Sequence, residues 1–155
     1  MASLAQNEDG ASRKKQSELS HKEIANKLIE EGVHHYRVGK DYEKARLSFE
    51  SARDIAKRAN LQLEEARALG NLANAHSNLK ENIAASDLYR MSLFLFRKIG
   101  ETRKEIIILK NAANVECQLK HWDEAIKLHR RRMDLCAETN QEQARLESVE
   151  EIKKC

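Results

Sequence analysis

Proline is absent from this sequence and glycine occurs only five times. These residues punctuate loops and end helices, so a turn-rich all-β fold and a proline-rich linker are both excluded. Aromatic residues make up 5% of the 155 positions, so any core must rest on Ala, Leu and Ile. Three cysteines, Cys117, Cys136 and Cys155, are widely spaced and form no CxxC pair. That pattern suggests reduced thiols in a cytoplasmic or nuclear compartment, with association to the cytoskeleton compatible, rather than a disulfide or metal framework. No stretch approaches the roughly 20 apolar residues that span a bilayer, so no membrane insertion is expected. Net charge is also small, +3 from 28 basic and 25 acidic residues, and it argues neither for nor against a polyanionic partner.

What the sequence does contain is a forty-residue period. Ala45, Ala85 and Ala125 recur at that interval, with Tyr42, Asn82 and Trp122 three residues earlier and Phe49, Tyr89 and His129 four later. Ile29, Leu69 and Leu109 keep step, as do Ile55, Leu95 and Leu135. Asn60, Gly100 and Asn140 fall where a helix must end, and Asn and Gly are the residues that best adopt the left-handed conformation there. A period of about 20–50 residues indicates stacked supersecondary units. Apolar spacing of three and four within each unit indicates amphipathic helices. Small alanines let two helix backbones approach where they cross. Tyr42, Trp122, Phe49 and Tyr89 are expected to fill the space beside them.

The expected organisation is a disordered tail over 1–19 and a helical domain over 20–155. Its repeats are about 22–58, 62–99 and 102–138, followed by a capping helix at about 141–154. Ser20 and Glu23 form a capping box that would start the first helix, which should run to Val38. Gly39, Lys40 and Asp41 make the following turn. Helices are expected over Tyr42–Arg58, Leu63–Leu79, Asn82–Ile99, Thr102–Leu119 and Trp122–Glu138. The column Ala52, Ser92, Arg132 should face the next hairpin, and its growing polarity suggests that stacking ends near residue 132.

The segments Gly39–Ala45 and His121–Ala125 resemble the turn and second-helix start of tetratricopeptide repeats (TPRs). The run Ala68–Ala75 is similar to the first helix of the subclass with forty-residue units, which includes kinesin light chains, rapsyn and LGN-type adaptors. The resemblance covers residues 24–154. It implies an all-α, right-handed superhelical array of three TPR-like hairpins plus a C-terminal capping helix, with the first helix of each pair lining a concave surface. It departs from the family in lacking the proline after the second helix. His76 and Glu116 also stand where an aromatic is common. His129 and Arg132 stand where apolar or small residues are usual, so the third repeat should be looser or terminal.

Along the inner stripe, repeat two carries Arg67, Asn71, Asn74 and Asn78, and repeat three carries Ile107, Asn111, Asn114 and Gln118, with Lys110 alongside. Repeat one carries Lys27, Glu31, His34 and Val38. Carboxamides both donate and accept, so a double ladder of them suits the backbone of an extended or helical peptide of a partner protein. Lys27 and Arg67 would favour an acidic side chain on that ligand. Glu30 and Glu31 weigh against capture of a C-terminal carboxylate.

The remaining motifs point away from chemistry. Arg130–Arg132 radiate in different directions among acidic residues and have no interleaved aromatics, which argues against nucleic acid. The histidines lack the spacing of a metal site, and the stretch from Gly32 to Lys40 does not match a phosphate loop. Cys117 is not expected to act as an activated nucleophile. No catalytic residue, cofactor or metal is expected. The reading is a protein-interaction adaptor, monomeric or weakly self-associating. The alternative is a structural subunit that docks or self-associates through its helical ends.

Overall fold

The computed structural model describes Gln16 and residues 20–154. The expected tail, apart from Gln16, lies outside the described residues. Among the described residues the chain is all-α and contains no strand. Helix α1 covers 20–34 and closes in a π-helical turn, His35–Gly39. Helices α2 (Tyr42–Arg58), α3 (Gln62–Asn78), α4 (Asn82–Ile99), α5 (Thr102–Gln118), α6 (Trp122–Glu138) and α7 (Glu142–Lys154) follow. Consecutive helices pack against each other, and α3 also touches α5, so the first helices of successive hairpins form one layer. None of the described helices is long and apolar enough to cross a membrane.

The expected bounds hold to within a residue from α2 onward. Ser20 is itself helical, so it does not take the capping position expected for it. The next start is capped, since the Asp41 carboxylate accepts from the Lys44 amide at 3.0 Å.

The helix ends share one device. Asn60, Gly100 and Asn140 adopt positive φ (55°, 75° and 55°), as their residue types suggest. Lys80 and Lys120 do the same at 67° and 62°, forming a left-handed column that their residue type hides. In each case the following amide reaches back five residues, for example Leu61 to the Ala56 carbonyl at 2.8 Å and Glu81 to that of His76 at 2.9 Å. This Schellman closure satisfies helix-end carbonyls and reverses the chain without proline. Lys40 is also left-handed (φ 47°), but it follows the wider π turn, in which Asp41 donates to the His35 carbonyl at 3.0 Å.

The alanine column is fully buried at Ala45, Ala85 and Ala125. Phe49, Tyr89 and His129 are buried beside it. Gly32 marks the closest approach, because a Cβ there would stand 2.5 Å from the Phe49 ring. Trp122 does not fill core space: it is 44% exposed at the start of α6. Tyr42 is half-buried and stacks edge to face on Tyr36, with centroids 5.3 Å apart.

The polar column at 52, 92 and 132 divides. Ser92 turns back onto its own hairpin and donates to the Ala66 carbonyl at 2.8 Å. Arg132 does reach the following helix, donating to Ser148 at 2.8 Å and Glu147 at 3.1 Å. The third repeat is not loose at these columns, since His129 is 0% and Arg132 4% exposed. Ser148 is the one fully buried residue among the described part of α7, and Ala144 of the same helix packs against the apolar core.

Candidate functional site: an amide-lined groove

Residues four and three apart share a helix face, so Asn71, Asn74 and Asn78 of α3 and Asn111, Asn114 and Gln118 of α5 project from neighbouring helices of one layer. The structure brings Asn74, Asn78, Asn111, Asn114 and Gln118 into a single groove of about 380 Å³. Tyr36, Ser77, Tyr89 and Val115 complete its lining.

Asn74 is the hub. Its side-chain oxygen accepts from the Tyr89 hydroxyl at 2.5 Å and from the Asn111 amide at 3.0 Å. With the oxygen held by two donors, the Asn74 NH2 group is committed to the groove as a donor. Burial raises the Tyr89 phenol well above its ordinary pKa, so it remains a neutral donor throughout the physiological range.

Asn78 donates to the Tyr36 hydroxyl at 2.6 Å and to the Asn74 carbonyl at 2.9 Å, which leaves its own side-chain oxygen as an acceptor. Burial also raises the Tyr36 pKa. Asn82, from the start of α4, donates to the Gln118 side-chain oxygen at 2.9 Å, leaving the Gln118 NH2 as a further donor. The groove thus offers oriented donors and acceptors and contains no charged lining residue.

Arg67 and Asn71 lie elsewhere. They line a smaller recess of about 130 Å³ with Phe96, Lys104, Ile107 and Ile108. Arg67 donates to Asn26 of α1 at 2.6 Å, which fixes its guanidinium. Lys104 and Arg67 give this recess its positive charge, and Ile107, 62% exposed, gives it an apolar lip.

Lys27, Glu31, His34 and Lys110 line neither recess. Lys27 and Glu31 approach each other at 4.0 Å along the exposed face of α1. His34 meets His35 edge to face, with centroids 6.2 Å apart. Lys110 is drawn to Glu147 of α7 at 3.0 Å. Sequence spacing identified the stripe but gave no sign that repeat one contributes Tyr36 rather than Lys27, Glu31 or His34. The π turn that repositions Tyr36 has no simple sequence signal.

Three buried carboxylates are structural. Glu64 pairs with Lys22 at 3.6 Å. Glu105 accepts from Arg97 at 3.2 Å and Arg131 at 3.4 Å, which separates Arg131 from exposed Arg130 and buried Arg132. Glu116 accepts from the Ser86 hydroxyl and contacts His121 at 2.8 Å. Among the described residues, no three His, Cys, Asp or Glu side chains are placed to hold a metal ion.

No protein-family model matches this sequence, and no curated protein matches it. The fold does have solved counterparts. The crystal structure of BtubC (BKLC) from P. vanneervenii superposes with a TM-score of 0.65 at 15% identity, covering 95% of this chain and 72% of that one. At this identity the likeness extends to the fold alone: an all-helical array of consecutively packed helices.

Proposed function

We propose that this chain is a non-enzymatic, TPR-type adaptor that holds an extended segment of a partner protein in the groove between α3 and α5. The observation that carries the reading is the Asn74 hub. Two neighbouring donors fix its oxygen, so its NH2 group faces the groove already oriented and little ordering entropy remains to be lost on binding. A peptide backbone presents alternating carbonyl and amide groups, which the Asn74 and Gln118 donors and the Asn78 acceptor complement. The adjoining Arg67–Lys104 recess suits an acidic side chain of the same ligand, with Ile107 against its aliphatic part. The reducing, cytoplasmic setting expected from the cysteines is compatible with this role, and fully buried Cys136 is compatible with it too.

The alternative, docking through the helical ends, is less favoured at the α6 face. There Arg132 is already engaged by Ser148 and Glu147 of α7.

The test is a displayed-peptide selection on the folded protein, followed by affinity measurements on Asn74→Ala and Asn74→Ala/Asn114→Ala. Losing one oriented hydrogen bond should weaken selected ligands about tenfold in the single variant. Unchanged affinity in a folded double variant would sink the proposal.

A further inference from the structure

The outer face of α4 carries a stripe that the groove does not use. Ile83, Asp87, Arg90 and Phe94 follow one another at four, three and four residues, so they line one side of the helix. All four are exposed: Ile83 at 73%, Phe94 at 66%, and the Asp87 and Arg90 side chains at 65% and 74%. Burying large apolar residues is favourable, so Ile83 and Phe94 held in solvent on one stripe suggest a covered surface.

Beside Phe94 lies a notch of about 360 Å³ with Leu69 and Leu95 among its lining and Glu65, Arg90 and Met91 around it. Repeat three closes the same place: Arg131, forty residues after Met91, reaches Glu105, forty residues after Glu65. The notch is therefore a property of repeat two and not of the repeat in general.

The order of the stripe identifies its occupant. Read in reverse it is its own complement: Ile83 and Phe94 lie equally far from a centre between Leu88 and Tyr89, and so do Asp87 and Arg90. Lay a second α4 antiparallel across the first, about a two-fold axis through that centre. Ile83 then meets Phe94 of the second copy, and Asp87 meets Arg90 of the second copy. Both pairings occur twice, as an isologous contact requires.

We infer that α4 is a self-association surface on which a second copy of this chain docks antiparallel, Ile83 of each copy seating against Phe94 and the notch of the other. The Asp87–Arg90 pair, 3.2 Å apart within one chain, exchanges partners across the axis. Such exposed pairs add little affinity but select orientation, because a parallel arrangement or a shifted register would set like charges together. A contact built around one helix is small, so the dimer should be weak and concentration-dependent. The stripe shares no residue with the amide groove, which leaves both grooves of the dimer open.

Sedimentation velocity of the full chain between about 10 μM and about 500 μM tests this, since small interfaces associate weakly. Wild type should pass from monomer to dimer. Phe94→Glu should raise the dissociation constant roughly tenfold or more by placing a charge in the apolar contact. Asp87→Arg and Arg90→Asp should each weaken the dimer, and the Asp87→Arg/Arg90→Asp double variant should restore it. Circular dichroism confirms folding for each, and if Phe94→Glu misfolds, the charge-exchange pair carries the test. A wild type that stays monomeric overturns the proposal. So does a dimer indifferent to Phe94→Glu, or a double variant no better than its singles.

Discussion

The Tyr89 hydroxyl donates to the Asn74 side-chain oxygen at 2.5 Å and thereby turns a flexible carboxamide into an oriented donor. Tyr89 belongs to the column of Phe49 and His129 and is 2% exposed, so a packing residue also sets the chemistry of the groove. Tyr89→Phe keeps the ring and removes the donor. Stability should fall by about 1 kcal/mol, the net value of one such bond. Ligand affinity should fall as well, because Asn74 keeps only the Asn111 amide to orient it. Urea denaturation and peptide binding check the two effects separately. Unchanged binding would show that Asn111 alone suffices.

Gly32 and Gly70 separate a rigid contact from a yielding one. A Cβ at Gly32 meets three atoms of the buried Phe49 ring, the nearest at 2.5 Å, and a ring cannot fold aside. Gly32→Ala should therefore cost about 1–3 kcal/mol despite the better helix propensity of alanine. At Gly70 the nearest atom is the terminal methyl of Ile108 at 2.7 Å, which a rotamer change can move. Gly70→Ala should be the milder variant in thermal melts of the two proteins side by side.

Much of this architecture is legible in the sequence, because a stacked array repeats its demands. Alanine at 45, 85 and 125 is required where backbones cross, and the spacing of helix ends follows from the period. Less was legible where one backbone need is met by unlike residues. Lys80 and Lys120 hold the same left-handed position as Asn60 and Gly100, yet lysine carries no signal for it. The groove was partly legible: the amide stripe was visible in α3 and α5, whereas Tyr36 enters through a π turn and Tyr89 from the second helix. Arg67 and Asn71 share the stripe but sit in a separate recess, a matter of helix crossing that linear spacing does not encode.

The lysine column gives a stability prediction. At φ 67° and 62° Lys80 and Lys120 carry a steric cost that glycine avoids. Lys80→Gly or Lys120→Gly should raise stability by about 0.5–1 kcal/mol in chemical denaturation, although glycine gives a floppier unfolded chain. A loss instead would mean that unfolded-state entropy outweighs the relief.

His129 supplies a pH dependence whose direction follows from its surroundings. It is 0% exposed, and neither ring nitrogen has a hydrogen-bond partner among the described residues. Burial depresses its pKa most, Glu151 opposes that shift, and Arg132 and Lys110 reinforce it. The folded chain therefore takes up this proton less readily than the unfolded chain, whose imidazole titrates near about 6.5. Since the unfolded state binds more protons below that value, the contribution of neutral His129 is fully present above it and declines as the pH falls through it. The carboxyls of Glu147 and Glu151 are held below their ordinary range by Lys110 and Lys154 respectively, so their loss comes in a separate, more acidic window. Phe49 occupies the matching position in repeat one, which makes His129→Phe the natural control. Urea midpoints at pH 7.5 and pH 5.5 should differ for the wild type, and the difference should shrink in His129→Phe. An equal pH dependence in both proteins would place the titrating group elsewhere.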